Sequence, residues 1–179
     1  MAKAKPHHYY VTDPLGVEHT RNSPRIYTHA VIARPSYDNA LHSAQNNGTI
    51  MAATHKSNFH YYRRILGLEP RPANDHRNVR PSWMTEEAFA RQQEGDKRHA
   101  EESLMGAETL DAYVAACVAR RIADVEDAKV KGYYDRFEAL GFCGRADLAA
   151  KLVASTGAHW TDFIILPVQE RDAPAKPAS

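Results

Sequence analysis

The chain has 179 residues, of which 43% are hydrophobic and 25% are charged, a composition typical of a globular protein. No run approaches the roughly 20 apolar residues that a membrane-spanning helix needs, so we expect no membrane contact. The first ten residues include two lysines but no apolar segment behind them, so we also expect no secretory signal. Two cysteines without Cys-x-x-Cys spacing indicate free thiols and favour a cytoplasmic location.

The net charge of +1 conceals an asymmetry along the chain. Residues 1–81 hold eleven lysines and arginines against five acidic residues, whereas residues 82–179 hold twelve against seventeen. Eight of the ten histidines also lie in the first part. Two explanations are open: the two parts neutralise each other, or the basic part contacts a polyanion.

The N-terminal residues have the pattern of an antiparallel β-meander. Residues 9–12 are rich in β-forming side chains, and "DPLG" at 13–16 has the pattern of a type I turn. Residues 17–21 are therefore expected to return as a second strand. The stretch "RIYTHAVIAR", residues 25–34, is the predicted third strand, and Pro35 ends it.

Two short helices are predicted to follow. Ser36 is expected to cap the first helix, which ends at Gly48, and Ser57 to cap the second, which ends at Gly67. The next segment, residues 67–82, contains three prolines and three arginines. This composition predicts an exposed loop, and it coincides with the change in charge.

The rest of the chain has mainly helical patterns. Thr85 is expected to cap a polar helix, and a stronger apolar repeat predicts a long helix over residues 109–140, capped by Thr109. Residues 145–156 predict another helix, and the apolar run in 159–168 predicts a strand.

These elements predict an α+β protein with a small antiparallel sheet, built from the N-terminal meander and the C-terminal strand. The sheet is expected to pack against a mostly helical C-terminal half. The predicted organisation is a basic, histidine-rich segment over 1–66, a loop over 67–82, an acidic helical region ending in a strand over 83–169, and a disordered tail over 170–179. We expect these segments to form one cooperative domain.

Alternation along the third strand separates an apolar face from a polar one. Ile26, Thr28, Ala30 and Ile32 share the expected core face, because alternate side chains of a strand point the same way. If "DPLG" closes the hairpin, Tyr10 lies opposite His19, and a one-residue slip would dissolve the polar face. This face and two arginines of the second helix give the candidate binding residues: Tyr10, His19, Arg21, Arg25, Tyr27, His29, Arg63 and Arg64.

Arginines interleaved with aromatic rings favour nucleic acid, because guanidinium groups pair with phosphates and rings stack on bases. An ordinary half-exposed sheet also favours tyrosine and threonine, and this structural explanation stays open. We therefore expect a non-enzymatic binding protein, with nucleic acid as its first ligand.

An enzymatic alternative comes from two His-x-Ser/Thr motifs, "HKS" at 55–57 and "HWT" at 159–161. Their spacing resembles that of the two-histidine phosphoesterases. The resemblance implies that His55 and His159 act as base and acid while Ser57 and Thr161 bind phosphate. Two such motifs are close to the number expected by chance, and the first lies in a predicted helix.

No other chemistry is predicted. The histidines lack the close pairing typical of zinc ligands, and no Gly-x-Ser-x-Gly or glycine-rich phosphate loop occurs. We expect neither a metal nor a cofactor. The helix at 109–140 is longer than a small domain requires, which favours a homodimer formed through its apolar stripe.

The strand "RIYTHAVIARPS", preceded by "VEHTRNS" and followed by an alanine-rich helix, resembles uncharacterised small proteins of phages and mobile elements. The resemblance covers about the first 45 residues and includes no functional motif. It implies an accessory protein, and it adds an inhibitor that binds a host protein as an alternative function.

Overall fold

The computed structural model describes residues 7–72 and 79–171, in which helices and strands follow the α+β pattern predicted from the sequence. Within these ranges, no helix is both long enough and apolar enough to cross a bilayer. A 3-10 helix covers Tyr133–Asp135. The other elements are β1 (His7–Thr12), β2 (Glu18–Ser23), β3 (His29–Pro35), α1 (Tyr37–Gln45), α2 (Asn47–Ile50), α3 (Ala52–Ile65), α4 (Glu86–Leu104), α5 (Leu110–Val130), β4 (Glu138–Cys143), α6 (Ala146–Ser155), β5 (Trp160–Pro167) and β6 (Gln169–Arg171).

The contacts divide the chain into two compact units. The described parts of residues 1–41 and 125–179 form one, which we call the sheet unit, and residues 42–124 contain the other, the helical unit. This division differs from the boundary expected at residues 67–82. The described residues of that loop, 67–72 and 79–82, contain neither helix nor strand, and residues 73–78 lie outside the described part of the chain.

The sheet unit contains two antiparallel sheets of three strands each, in the orders β2-β1-β6 and β4-β3-β5. The predicted three-strand meander is therefore wrong, because β3 pairs with β4 and β5 and not with β2. The burial of the strands explains this arrangement. Residues 30–33 of β3 are all fully buried, so β3 needs cover on both faces, whereas most of β2 is exposed and suits a sheet edge.

The core of the sheet unit lies between the two sheets. Val11 of β1 packs with Ala30 and Ile32 of β3 and with Phe137. Ala30 and Ile32 are thus core residues as predicted, but Ile26 is 72% exposed and Thr28 is also exposed, because β3 begins only at His29.

The opposite face of β3 packs against α6. Val31, on that face, is fully buried and lies beside Gly141 of β4. A Cβ atom at Gly141 would lie only 2.8 Å from Cδ2 of Leu152 on α6. The missing side chain therefore allows α6 to approach the sheet closely.

The long helix ends ten residues earlier than predicted. Thr109 caps α5 as expected, since its Oγ1 accepts a hydrogen bond from the Ala112 amide at 3.2 Å, but α5 ends at Val130. Gly132 then adopts a left-handed conformation, with a φ of +70°, and the chain continues into β4. The predicted helix over 109–140 is wrong beyond Val130. The predicted helix and strand that follow are confirmed as α6 and β5.

The tail was predicted to be disordered from residue 170. Glu170 and Arg171 instead belong to β6, which pairs with β1. Residues 172–179 lie outside the described part of the chain.

The helical unit is built on a small core in which Phe59 of α3, Leu104 of α4 and Tyr113 of α5 are buried together. Thr85 caps α4 as predicted, and Gly67 follows α3 with a φ of +74°. Two predicted boundaries are wrong. Gly48 lies within α2, and Ser57 lies inside α3, which begins at Ala52.

Candidate functional site

The turn between β1 and β2 determines which side chains share a face of the hairpin. The Gly16 amide donates to the Asp13 carbonyl at 3.0 Å, which confirms the predicted type I turn. The Asp13 amide also donates to the Val17 carbonyl at 2.9 Å, and Gly16 has a φ of +83°. Gly16 therefore adds a bulge residue to the turn and lengthens the second arm by one.

The bulge shifts the register by one residue from the prediction. Tyr9 lies opposite Arg21 and Val11 opposite His19, whereas the sequence predicted Tyr10 opposite His19. Tyr10 lies on the other face from its neighbours Tyr9 and Val11. The predicted polar face is thereby divided, with Tyr10 on one side and His19 and Arg21 on the other.

Part of that face does come together where β2 leads toward β3. Arg21, Ser23, Arg25 and Tyr27 form what we call the arginine–tyrosine cluster. The Cζ atom of Arg21 lies 5.3 Å from the ring centre of Tyr27. Ser23 Oγ donates to Tyr27 Oη at 3.4 Å and accepts the Arg25 amide at 3.1 Å. Ser23 is buried, so this serine fixes both neighbours.

The electrostatics of the cluster favour negative charge. The hydrogen bond from Ser23 lowers the pKa of Tyr27, and the positive charges of Arg21 and Arg25 lower it further, against the opposing effect of burial. Both arginines are exposed, and neither forms an ion pair with a carboxylate in the part of the chain that the structure describes. Within that part, two cations and a phenol hydroxyl therefore lie together, and no carboxylate lies within ion-pair distance of either arginine.

The ring of Tyr27 is fixed within the sheet unit. It packs edge-to-face against Tyr9, with ring centres 5.3 Å apart, and against Phe142 at 6.0 Å. Arg21 lies over the same ring. Arg21 thus occupies one face of the Tyr27 ring, and the hydroxyl group of Tyr27 lies near Ser23 and the two arginines.

The two predicted histidines have other partners. His19 Nε2 lies 3.1 Å from Oδ2 of Asp13, a buried residue. His29 begins β3, its Nδ1 lies 2.8 Å from Thr28 Oγ1, and alternation places it on the same side as Val31. Among the described residues, the groups that lower the pKa of the Tyr27 hydroxyl are Ser23 and the two arginines, and neither histidine is one of them.

Tyr10 belongs to a separate group on the other face of the first sheet. Arg171 of β6 lies over its ring, with Cζ 4.9 Å from the ring centre, and pairs with both carboxylate oxygens of Glu18 at 3.0 and 2.7 Å. Arg171 also lies 3.0 Å from His8 Nε2. Arg171 was not predicted from the sequence, because a three-residue strand next to a proline- and alanine-rich tail gives no periodic signal.

The remaining binding candidates, Arg63 and Arg64, lie on α3 of the helical unit. Arg63 Nε pairs with Glu69 at 2.8 Å, and its guanidinium lies 5.3 Å from the ring centre of Phe59. Arg64 Nε donates to the His60 carbonyl at 3.1 Å. Both side chains are half-buried and already bonded, so they are weaker candidates than Arg21 and Arg25.

The two His-x-Ser/Thr motifs do not lie on neighbouring strands. His55 and Ser57 lie on α3, where residues two apart point in nearly opposite directions, and accordingly His55 is buried while Ser57 is exposed. This helical setting prevents the first motif from presenting both of its groups to one phosphate. In the second motif, His159 Nδ1 lies 2.9 Å from Asn39 Nδ2, and Thr161 is exposed on β5.

In the described ranges, no group of three or more histidine, cysteine, aspartate and glutamate side chains is arranged to hold a metal ion. No protein-family model, curated protein or solved structure matches the chain. The geometry of the arginine–tyrosine cluster is therefore the basis on which a function can be proposed.

Proposed function

We propose that the protein binds nucleic acid through its sugar-phosphate backbone, at the arginine–tyrosine cluster. The observation that supports this proposal is the absence of a carboxylate partner for Arg21 and Arg25 in the described residues. Two other arginines of the sheet unit are neutralised: Arg34 lies 3.5 Å from Asp162, and Arg145 pairs with Asp147 at 3.0 Å. Guanidinium groups without a carboxylate, held near one hydroxyl, suit a phosphate, whose oxygens accept several hydrogen bonds.

The same geometry indicates which part of the nucleic acid is contacted. An arginine of the protein lies over one face of Tyr27 and another over one face of Tyr10, which reduces the ring surface left for the stacking expected from the sequence. Contacts to phosphate carry no sequence information. We therefore expect binding that depends strongly on salt and weakly on base sequence.

The test is fluorescence anisotropy with a labelled 20-nucleotide DNA, single-stranded and duplex, over a series of salt concentrations. The double variant R21Q/R25Q should weaken binding and reduce the magnitude of the slope of log affinity against log salt by about 1.4 on single strands and about 1.8 on the duplex, because two phosphate contacts are lost. The matched control R91Q/R98Q removes two positive charges from α4 and should leave the slope unchanged.

Two outcomes would contradict the proposal. One is an absence of binding at low salt. The other is equal weakening by R21Q/R25Q and R91Q/R98Q, which would assign the affinity to total charge and not to the cluster. A scrambled 20-nucleotide sequence should bind with nearly the same affinity, and a large difference would contradict backbone recognition.

A protein ligand is the second candidate, and one observation favours it. Ile26 is 72% exposed although it lies within the cluster segment, next to Arg25. An exposed apolar side chain beside arginine is typical of protein interfaces and adds nothing to phosphate binding. I26D should leave DNA affinity within about threefold under the nucleic-acid proposal, after allowance for its added charge. It should abolish binding to a purified acidic partner protein if the cluster is a protein-binding surface.

A further inference from the structure

The helical unit contains a cleft of about 280 Å³ whose floor is made of buried polar groups. His55 is only 8% exposed, and its Nε2 lies 2.9 Å from Asn47 Oδ1, which accepts its hydrogen bond. Tyr113, 4% exposed, packs edge-on against the His55 ring, with centres 6.1 Å apart. Burial raises the pKa of Tyr113, and the neighbouring Cys117 thiol raises it further, so the phenol stays neutral at physiological pH.

The helices α2 and α5 are tightly packed next to the cleft. A Cβ atom at Gly48 of α2 would lie 2.9 Å from Cγ1 of Val114 and 3.4 Å from Cγ2 of Val118, both on α5. Valine side chains have little freedom to move aside. The backbone of α2 therefore lies directly on α5 at the residue after Asn47, which lines the cleft.

The rim carries positive charge. Arg120 and Arg121 of α5 line the cleft and are exposed, and neither pairs with a carboxylate among the residues that the structure places. Asp124, about one turn further along α5, also lines the cleft. The charged rim thus has two cations against one anion.

We propose that this cleft binds a small organic anion, with its charged group at Arg120 and Arg121 and a compact aromatic body against Tyr113. A volume of about 280 Å³ is just below that of pockets for drug-sized ligands, which fits a single ring with one charged substituent. The buried aromatic rings favour an apolar body, and the two guanidinium groups favour a carboxylate or a phosphate ester. This site lies within the helical unit and does not depend on the nucleic-acid proposal.

The experiment titrates the full chain with benzoate and with benzamide, its neutral analogue of nearly the same shape, and follows amide chemical shifts by NMR. Benzoate should shift the resonances of residues around the cleft at millimolar concentration, and benzamide should bind at least about tenfold more weakly, because it lacks the charge. Phenyl phosphate identifies the anionic group: tighter binding than benzoate assigns a phosphate ester, and weaker binding assigns a carboxylate.

The variant R120Q/R121Q should weaken benzoate binding about tenfold or more, while D124N should strengthen it, because it removes the negative charge of the rim. R91Q/R98Q is the matched control for net charge and should bind like the unmodified chain. Equal binding of benzoate and benzamide, or equal affinity of R120Q/R121Q and R91Q/R98Q, would overturn the proposal.

A second readout does not depend on the folding of the arginine variants. Cys117 lines the cleft and is half-buried, so a bound ligand should slow its alkylation by iodoacetamide. In a C143S background, saturating benzoate should reduce the rate several-fold and benzamide at the same concentration should not. An unchanged rate with benzoate would also overturn the proposal.

Discussion

The imidazole Nε2 of His19 lies 3.1 Å from Oδ2 of Asp13, and Oδ1 of the same carboxylate accepts the amides of Leu15 and Val17, both at 2.9 Å. One buried carboxylate therefore holds the bulged turn together from three directions. Because the turn fixes the hairpin register, Asp13 also determines that Arg21 lies opposite Tyr9 and near Tyr27.

Two replacements of Asp13 should separate its hydrogen bonds to the two backbone amides from its contact with His19. D13A removes all three hydrogen bonds and should lower the free energy of unfolding by about 2 kcal/mol. D13N keeps an oxygen for the two amides and loses the charge and the acceptor that face His19, so it should lower the free energy of unfolding less than D13A. Urea denaturation measures both. If the two variants are equally destabilised, the amide contacts do not stabilise the turn.

The stability of the protein should decrease in acid partly because of Asp13. Burial acts to raise the pKa of this carboxyl, but the hydrogen bonds from Val17, His19 and Leu15 outweigh it and hold the pKa below its usual range. A group with a lowered folded-state pKa stabilises the fold above its unfolded pKa of about 4, and this contribution is lost as the pH falls through the folded value. The unfolding free energy of D13N, measured from pH 6 downward, should therefore fall less steeply than that of the unmodified chain. Parallel curves would contradict this assignment.

The hairpin illustrates how far the sequence predicts this fold. "DPLG" correctly predicted a type I turn, and Thr85 and Thr109 correctly predicted helix caps, because each signal depends on a few neighbouring residues. These signals did not predict the register of the hairpin. The register depends on the bulge at Gly16, and the bulge depends on a hydrogen bond from the Val17 amide to the Asp13 carboxylate. A one-residue error was enough to divide the predicted binding face.

The end of α5 illustrates a second limit. Tyr133, Phe137 and Leu140 continue the three- and four-residue spacing of the helix, yet they lie in a 3-10 helix, a connection and β4. In the sequence, only Gly132 marks the end of α5, and a single glycine does not distinguish a bend within a helix from the end of the helix. The homodimer predicted through residues 109–140 stays a prediction, and part of the apolar stripe, Val114 and Val118, already packs near Gly48.

The close contact between β4 and α6 predicts a sensitive glycine. G141A would place a methyl group 2.8 Å from Leu152 Cδ2, so the end of the leucine side chain must move, and we expect a loss of about 1 kcal/mol in unfolding free energy. G157A is the matched control, because no atom lies within 4 Å of a Cβ at that position. L152A should lower the free energy of unfolding less in the G141A background than alone, since the methyl group added at residue 141 occupies part of the space that the leucine side chain vacates. Strict additivity in this double-mutant cycle would show that the two sites do not interact.

Arg171 and Arg21 offer a comparison between an arginine with a carboxylate partner and one without. Arg171 is bound to Glu18 through two hydrogen bonds, so R171Q should change DNA affinity little, and because the pair is partly exposed it should cost less than about 1 kcal/mol of stability. R21Q removes the same formal charge and should weaken DNA binding measurably. The measurement is anisotropy at one low salt concentration. Equal effects would show that the ion pair of Arg171 does not matter for binding.

The sheet unit is built from two stretches of the chain that are separated by the helical unit, and this has a consequence for folding during synthesis. Residues 42–124 are continuous, so the helical unit has all its segments available once residue 124 has left the ribosome. The strand β1 pairs with β6 and must wait until residues 169–171 have been made. Until then, one edge of β1 is a row of unpaired backbone amides and carbonyls. We therefore expect an interval during synthesis in which the chain is open to strand exchange with a neighbouring copy, and slow translation of the segment between α5 and β6 should lengthen that interval.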